Sequence, residues 1–516
     1  MQLTQFVHRN TRQRGANTAV ICGDRTYSFS EIQCRVSKLA GALKDLGLKT
    51  GDRVAMMSGN SDRFIEFYLA VWWAGGVVNP INIRWNAKEI AYSLNDCETG
   101  LVIVDETFRN VIEEARRDVE FIRHVIYAGE GSKPSWMLDY ETLVAQADSA
   151  PDANRSNNDM AAILYTGGTT GFPKGVTLTH TNLGLPALSL LAAGYGYGSV
   201  LLHATPMFHG ATLMFMLAQW LNGGTHVTVP RFAEQAVMEK MQQHNVTDVF
   251  LVPTMIQRLV DNPIRDQYDL TSVQRIWYGG SPIPEAVLER AMAAMPSASF
   301  VQMYGLTEVS ISSLLGPQQH QPTEIAKGRL RSAGKATTVT DIKIIDTDGR
   351  EVPRGTIGEI SIGGPNVMQG YWNKPAETNA VLKDDWMRTG DAAYMDNEGF
   401  IFIVDRLKDM IVSGGENIYA TEVENAIAAH PSVAATAVIG IPDDQWGESV
   451  HAAVVLKSEA ERFSLDDLRG FCKDRIASYK CPRSLEFRDV LPISGAGKVM
   501  KTVLREAFWK DRARKI

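Results

Sequence analysis

Short runs of branched and aromatic residues alternate along this chain with longer stretches whose apolar positions recur at helical spacing. From about residue 19 onward, RVAMMS, GLVIVD, HVTV and VFLVP read as buried strands, and SEIQCRVSKLAGALKDLG and VLERAMAAM as amphipathic helices. That alternation predicts a layered α/β architecture. No self-similarity at a fixed period is present, which excludes a solenoid. Near residue 335 the pattern changes. TDIKIIDTDGREVPRGTIGEISIGG alternates β-prone residues with TDG and PRG turn signals, predicting a small antiparallel module. After FIFIVDRLKDMIVSGGENI, mixed α/β character resumes through TEVENAIAAH, VAATAVIGIP and HAAVVLK. This predicts a compact C-terminal domain of about 110 residues beginning between Asp405 and Asp409.

Composition narrows the function classes more than the fold. At 516 residues the chain exceeds a single core, and about three domains are expected. It is 45% hydrophobic and carries a net charge of -7 without a block of like charges, so nucleic acid is not expected as a partner. The N-terminal MQLTQFVHRNTRQRG lacks a signal-peptide apolar region, and no run reaches the roughly 20 apolar residues of a membrane span. A cytoplasmic protein without an integral membrane segment is the expectation. Five scattered cysteines, with no CxxC pair, read as reduced thiols and not as zinc ligands or disulfides.

The chemistry first surfaces at residues 163 to 180, ILYTGGTTGFPKGVTLTH. Glycines there let backbone N–H groups converge on an anion, and Lys174 adds positive charge. Taken alone, the segment reads equally well as a mobile surface loop. It is not a Walker A loop, because Lys174 lies between Pro173 and Gly175 and no hydroxyl follows it. GYGYGSV at 194 to 200 misses the dinucleotide fingerprint, having Ser199 where the last glycine should stand.

The neighbours of this loop decide between the readings. YTGGTTGFPKG is followed in order by PMFHG (206 to 210), YGGSPIP (278 to 284), YGLTE (304 to 308) and GGPNVMQGYWNKPAET (363 to 378). RTGD (388 to 391), DRLKDMIVSGGENI (405 to 418) and PISGAGK (492 to 498) complete the series. Together these motifs resemble the adenylate-forming superfamily of acyl-CoA synthetases, aryl-CoA ligases, peptide-synthetase adenylation domains and luciferases. The resemblance covers essentially the whole chain. It implies an α/β fold with a large N-terminal domain of layered α/β subdomains plus a small β module (1–407). A small mobile α+β C-terminal domain (408–516) would follow, hinged at Lys408.

The resemblance also implies a two-step reaction: a carboxylate attacks the α-phosphate of ATP to form an acyl-adenylate, and a thiol, usually that of coenzyme A, then displaces AMP. Thr166, Gly167, Gly168, Thr169, Thr170, Gly171 and Lys174 would hold the outer phosphates, with Gly175 helping the turn. Gly167 stands where many relatives carry serine. Glu308 would be the Mg²⁺ ligand, with Thr166 as a second and Thr307 beside them. Tyr304, Gly305, Gly280 and Ser281 would frame the adenine, and Asp391 and Arg406 the ribose. Lys498 would reach the substrate carboxylate and α-phosphate, whereas Lys501 reads as a solvated bystander. After a domain rotation, Ser413, Gly414 and Gly415 would help form the CoA tunnel. Outside their motifs, Glu308 and Lys498 would each read as an ordinary surface charge, and Arg406 as half of an ion pair with Asp405.

His209 falls where relatives place a catalytic gate between acyl pocket and CoA tunnel, although a lone histidine beside Phe208 also reads as core. Gly210, Ala211, Met214, Phe215, Trp277 and Gly279 would line the acyl pocket. No acidic residue occurs from Pro206 to Leu217, which argues against an amino-acid substrate. The expected substrate is a hydrophobic carboxylic acid, aryl or fatty, with ATP, Mg²⁺ and coenzyme A as the other participants. A homodimer is compatible with the sequence. The competing readings are a stand-alone adenylation enzyme that loads a carrier-protein phosphopantetheine, and a non-catalytic nucleotide-binding relative.

Overall fold

Continuous apolar runs become strands covered on both faces. A computed structural model of the chain describes residues 1–166, 173–407, 409–414, 416–458, 460–494 and 498–510. In it Arg53–Met57 pairs in parallel with Val77–Pro80 on one side and Leu101–Val104 on the other, and the two flanking strands are buried at every position. Among the described residues, four sheets form. One of eight strands runs Gly370–Tyr371, Lys174–Thr179, Met160–Thr166, Val77–Pro80, Arg53–Met57, Leu101–Val104, His124–Tyr127 and Leu138–Asp139. One of nine strands has Ser299–Leu306, Arg275–Gly279, Asp248–Leu251, Val200–His203 and Thr225–Thr228 near its middle.

Helices join the two large sheets. Asp62–Ala74 starts at a Ser61 hydroxyl that accepts from the Phe64 N–H and stops at Gly75, whose φ of 88° only glycine adopts readily. All thirteen of its residues are buried. Its Trp72 indole donates to Ala161 O at 2.9 Å, in a strand of the eight-stranded sheet, and its Tyr68 hydroxyl to Met207 O at 2.8 Å, in the connection after Val200–His203 of the nine-stranded one. The N-terminal segment, which precedes the alternating pattern, also forms a helix, Gln5–Arg14. It is mostly polar and docks through buried Phe6 and Val7 and through Asn10, which donates to Trp220 O at 2.7 Å.

The expected antiparallel module is present: Asp341–Ile345, Gly358–Gly363, Trp386–Met395 and Leu382–Lys383, with Ile401–Arg406 on the other side of Trp386–Met395. Its Ile342, Ile360 and Met387 join the apolar cluster of the large domain. The small C-terminal domain has its own core of Ile411, Val423, Ile427, Val438, Val450 and Leu468 under a five-stranded sheet. It touches the large domain through Gln257, which donates to Ala434 O at 3.1 Å, and Arg84, which donates to Ile493 O at 3.1 Å. Among the described residues, no helix is long and apolar enough to cross a membrane.

Candidate active site

Met160–Thr166 and Lys174–Thr179 form an antiparallel pair with Thr166 opposite Lys174, so the ends of the glycine-rich loop are fixed by sheet register. The loop itself, Gly167, Gly168, Thr169, Thr170 and Gly171, lies outside the described residues, as do Lys408 and Gly415. Gly175 belongs to the strand and not to the turn. A Cβ there would lie 2.7 Å from Ile163 Cγ2, so side-chain packing across the pair demands glycine. Thr166 Oγ1 lies 3.4 Å from Lys174 O, and the Lys174 ammonium sits 4.3 Å from the centre of the Tyr371 ring. The Tyr371 hydroxyl donates to Glu308 Oε1 at 2.9 Å, which brings the lysine and the glutamate to one side chain.

Glu308 and Thr307 follow the strand Ser299–Leu306, whose course depends on Gly305. A Cβ at Gly305 would meet Ser310 O at 1.7 Å, and one at Gly279 would meet Met303 O at 2.3 Å. Both glycines are there for close backbone approach. Gly280, with φ of +84°, ends the neighbouring strand beside Ser281 and lies against Lys498: a Cβ at Gly280 would be 3.8 Å from Lys498 Cε.

Tyr304 donates to Asp391 Oδ2 at 2.7 Å, and Arg406 Nε approaches Asp391 Oδ1 at 2.8 Å across the register pair Asp391 and Arg406. Each carboxylate oxygen thus has one partner. Burial, and then the Asp391 charge, push the Tyr304 phenol well up, so it stays a donor.

His209 caps the helix Gly210–Asn222, its Nδ1 accepting from Ala211 N–H at 3.3 Å. Burial, then the Lys498 charge, lower its pKa to about 4. The imidazole is therefore neutral at pH 7 and carries its proton on Nε2. Lys498 comes from the C-terminal domain, where Ser494 N–H donates to Lys498 O at 2.7 Å and Lys498 N–H to Ser494 Oγ at 3.1 Å. The Arg84 bond to Ile493 O ties the residue preceding Ser494 to the large domain.

The residues expected to line the acyl pocket divide in two. Gly210 and Ala211 are half-buried at the helix start, while Met214, Phe215 and Trp277 are wholly buried. Phe215 stacks on Phe250 at 5.1 Å and meets Trp277 edge-on at 5.6 Å, with Tyr195 5.8 Å from Trp277. The Trp277 indole donates to Asp248 Oδ1 at 3.1 Å, and Arg275 grips the same carboxylate. Phe215 and Trp277 thus belong to a pinned aromatic cluster of the core. Ser413 and Gly414 pack instead in the C-terminal sheet, where Gly414 N–H donates to Trp446 O at 2.8 Å.

Sequence reading missed three things. Arg84 carries no motif signal, and Tyr371 stands inside one without an assigned role. Lys501 is not a bystander. Its ammonium pairs with Glu424 at 2.8 Å, and Asp405 and Asp409 raise its pKa further against the opposing effect of burial. Arg505 pairs with Asp409 at 2.6 Å beside it. Buried Asp405 accepts from the N–H groups of Arg406 and Ala420, and burial raises its pKa to about 6 against the pull of Lys501.

Among the described residues, no group of three or more His, Cys, Asp or Glu side chains could cage a metal. Glu308 with the Thr166 hydroxyl supplies hard oxygen donors only. That set fits a small divalent ion which draws most of its ligands from water and phosphate.

A family model described as AMP-binding enzyme matches residues 7–372, and one described as AMP-binding enzyme C-terminal domain matches residues 422–498. A feruloyl-CoA synthase of an Amycolatopsis species is 37% identical over 97% of this chain and 98% of its own. The fatty acid–[acyl-carrier-protein] ligase ScoC of Streptomyces coeruleorubidus is 34% identical over 100% of this chain and 98% of its own. Among solved structures, ATP-bound MatB from Rhodopseudomonas palustris superposes with a TM-score of 0.88 at 30% identity, covering 99% of each chain.

Proposed function

The chain belongs to the family of AMP-binding enzymes, and from that premise we propose that it is an ATP-dependent, AMP-forming ligase joining a hydrophobic carboxylic acid to the thiol of coenzyme A. In the first step a substrate carboxylate oxygen bonds to the α-phosphorus of ATP, the bond to the bridging oxygen breaks, and pyrophosphate leaves. In the second, the thiolate sulfur bonds to the acyl carbon and AMP departs with the electron pair, the thiol proton passing to water. Both steps are governed by positioning and by cations set where charge develops.

Lys498 supplies that cation at the α-phosphate and attacking carboxylate, reaching in beside Gly280 and His209. Lys174 and the loop threonines hold the departing pyrophosphate, and Asp391 and Arg406 take the ribose hydroxyls. Glu308 and Thr166 would hold Mg²⁺, which when bound neutralises phosphate charge. Neutral His209 separates acid from thiol without acting as a base at pH 7. Met214, Phe215 and Trp277, buried and apolar, would end the acyl site and suit an aryl ring or an alkyl chain, and the adjoining segment has no carboxylate for an α-ammonium. We place the reaction in the cytosol, where ATP and coenzyme A are at hand.

The single observation that carries this reading is the delivery of Lys498, from the other domain, to Gly280 and His209. The same reading includes a domain boundary at 407 and 408 with Lys408 as hinge, about which the small domain would withdraw Lys498 and bring Ser413 to Gly415 to the thiol. Lys498→Ala is expected to lose adenylate formation by at least about a thousandfold while still converting supplied acyl-adenylate to thioester. Equal loss of both half-reactions would refute the role. The 34% identity to a ligase named for an acyl-carrier protein supports a second reading, in which the thiol belongs to a carrier-protein phosphopantetheine. A side-by-side assay of free coenzyme A and holo carrier protein separates the two. Glu308, Asp391, Arg406 and Lys498 occurring together argue against a non-catalytic nucleotide-binding relative.

A further inference from the structure

The segment between the antiparallel module and the helix Pro375–Val381 is bonded to both large sheets. Toward the nine-stranded sheet, Asn366 donates to Val309 O at 2.7 Å and Met368 N–H donates to Glu308 O at 2.8 Å. Toward the eight-stranded sheet, Gln369 N–H donates to Thr177 O at 3.0 Å and Trp372 N–H to Gly175 O at 2.7 Å, with Tyr371 opposite Val176. Asn182 fastens the start of the segment by donating to Pro365 O and Val367 O, both at 2.8 Å. Gly370 permits the crossing, since its φ is +150° and a Cβ would lie 2.8 Å from Thr378 Cγ2.

Lys174 stands on one sheet and Glu308 beyond the end of a strand of the other. Tyr371 is the residue of the crossing segment whose side chain meets both, ring under the ammonium and hydroxyl on the carboxylate. We propose that Tyr371 is a positioning residue of the nucleotide site, its hydroxyl orienting Glu308 and its ring carrying Lys174 so that the two act on one polyphosphate. A core aromatic needs only its ring. This hydroxyl, on a residue 7% exposed, commits its hydrogen to Glu308 Oε1. A carboxylate accepts through two oxygens, so a bond on one orients the group without consuming the other. The inference rests on the reading of Glu308 and Thr166 as the Mg²⁺ site.

The test uses calorimetric titration of the full chain with ATP in the absence of any acid, with and without Mg²⁺, so that no turnover enters. Tyr371→Phe keeps the ring and removes the hydroxyl. It is expected to bind metal-free ATP like the parent and to bind MgATP about tenfold more weakly, the scale of a hydrogen bond to a charged group. That loss is expected to vanish in a Glu308→Gln background, because coupled residues are not additive. Tyr371→Leu is expected to weaken both forms of ATP, having lost the ring under Lys174. Thermal unfolding of each variant checks folding, and Tyr371→Phe suffices to decide the hydroxyl's role should Tyr371→Leu not fold.

Parent-like MgATP affinity in Tyr371→Phe, while Glu308→Gln loses its Mg²⁺ dependence, would overturn the role of Tyr371 and leave the metal site standing. A Glu308→Gln variant with unchanged Mg²⁺ dependence would overturn the metal reading and this inference with it. Loss of metal-free ATP binding in Tyr371→Phe equal to its loss of MgATP binding would show general damage and also overturn the role.

Discussion

At the scale of single residues, burial sets the charge states. Burial lowers the pKa of His180, His209 and His320 from 6.5 to about 4 and that of His203 to about 3, and lowers His226 well below the ordinary value. His203 and His226 lie parallel with ring nitrogens 3.0 Å apart, so that one donates to the other, and burial keeps both neutral. Between pH 6.5 and 4 the unfolded chain therefore binds more protons at these sites, and stability falls as pH falls through that window. Asp405 works the other way. Its pKa, raised from 3.8 to about 6, makes folding take up a proton between those values, and Glu66 and Asp105, also raised by burial, act in the same sense against the histidines. Denaturant midpoints at pH 7.5, 6 and 5 are expected to decline steadily. A midpoint that rises toward pH 5 would contradict the neutral assignments.

At the scale of elements, the most consequential pieces are those that join sheets or domains. The segment around Asp405 ends the antiparallel module at Ile401–Arg406 and caps the start of the helix Ala420–Ala428 through the Ala420 N–H. Lys501, Glu424, Asp409 and Arg505 surround it with charge from the C-terminal domain. Asp405→Ala removes this anchor for the orientation that presents Lys498. It is expected to slow adenylation about tenfold more than thioester formation from supplied adenylate, a bias of roughly 1.4 kcal/mol between orientations. Equal slowing of both half-reactions, measured by single-turnover quench, would argue that Asp405 serves folding alone.

The joining segments themselves were legible, Asp405 to Asp409 as a domain boundary and 363 to 378 as a motif, but their long-range partners were not. The antiparallel module shows itself through period-two alternation and turn residues between neighbours in the chain, and the continuous runs at Val77–Pro80 and Leu101–Val104 show themselves as buried strands. Glu308, Asp391, Arg406, Lys174 and Lys498 were legible because each stands in a motif whose spacing is a local property. Tyr371, Arg84 and Lys501 were not, since the value of each lies in a partner from a distant segment: Glu308, Ile493 and Glu424. Gly175 was assigned to the turn for the same reason, because the Ile163 side chain that excludes a Cβ lies across the sheet.

At the scale of the molecule, the proposed function draws one nucleotide site from two large sheets, a small antiparallel module and a separate C-terminal domain. Lys174 and Glu308 enter from the large sheets, Asp391 and Arg406 from the module, and Lys498 from the small domain. Spreading the cations over separate elements would suit the proposed reaction, whose two steps need different neighbours around one adenylate. The measurement that tests this account most directly is nucleotide release from ATP, resolved by chromatography, with a panel of fatty, benzoic and cinnamic acids in the presence and absence of coenzyme A. Steady release of AMP is expected only when both an apolar acid and the thiol are present. Release of ADP, or AMP formation indifferent to the acid, would contradict it.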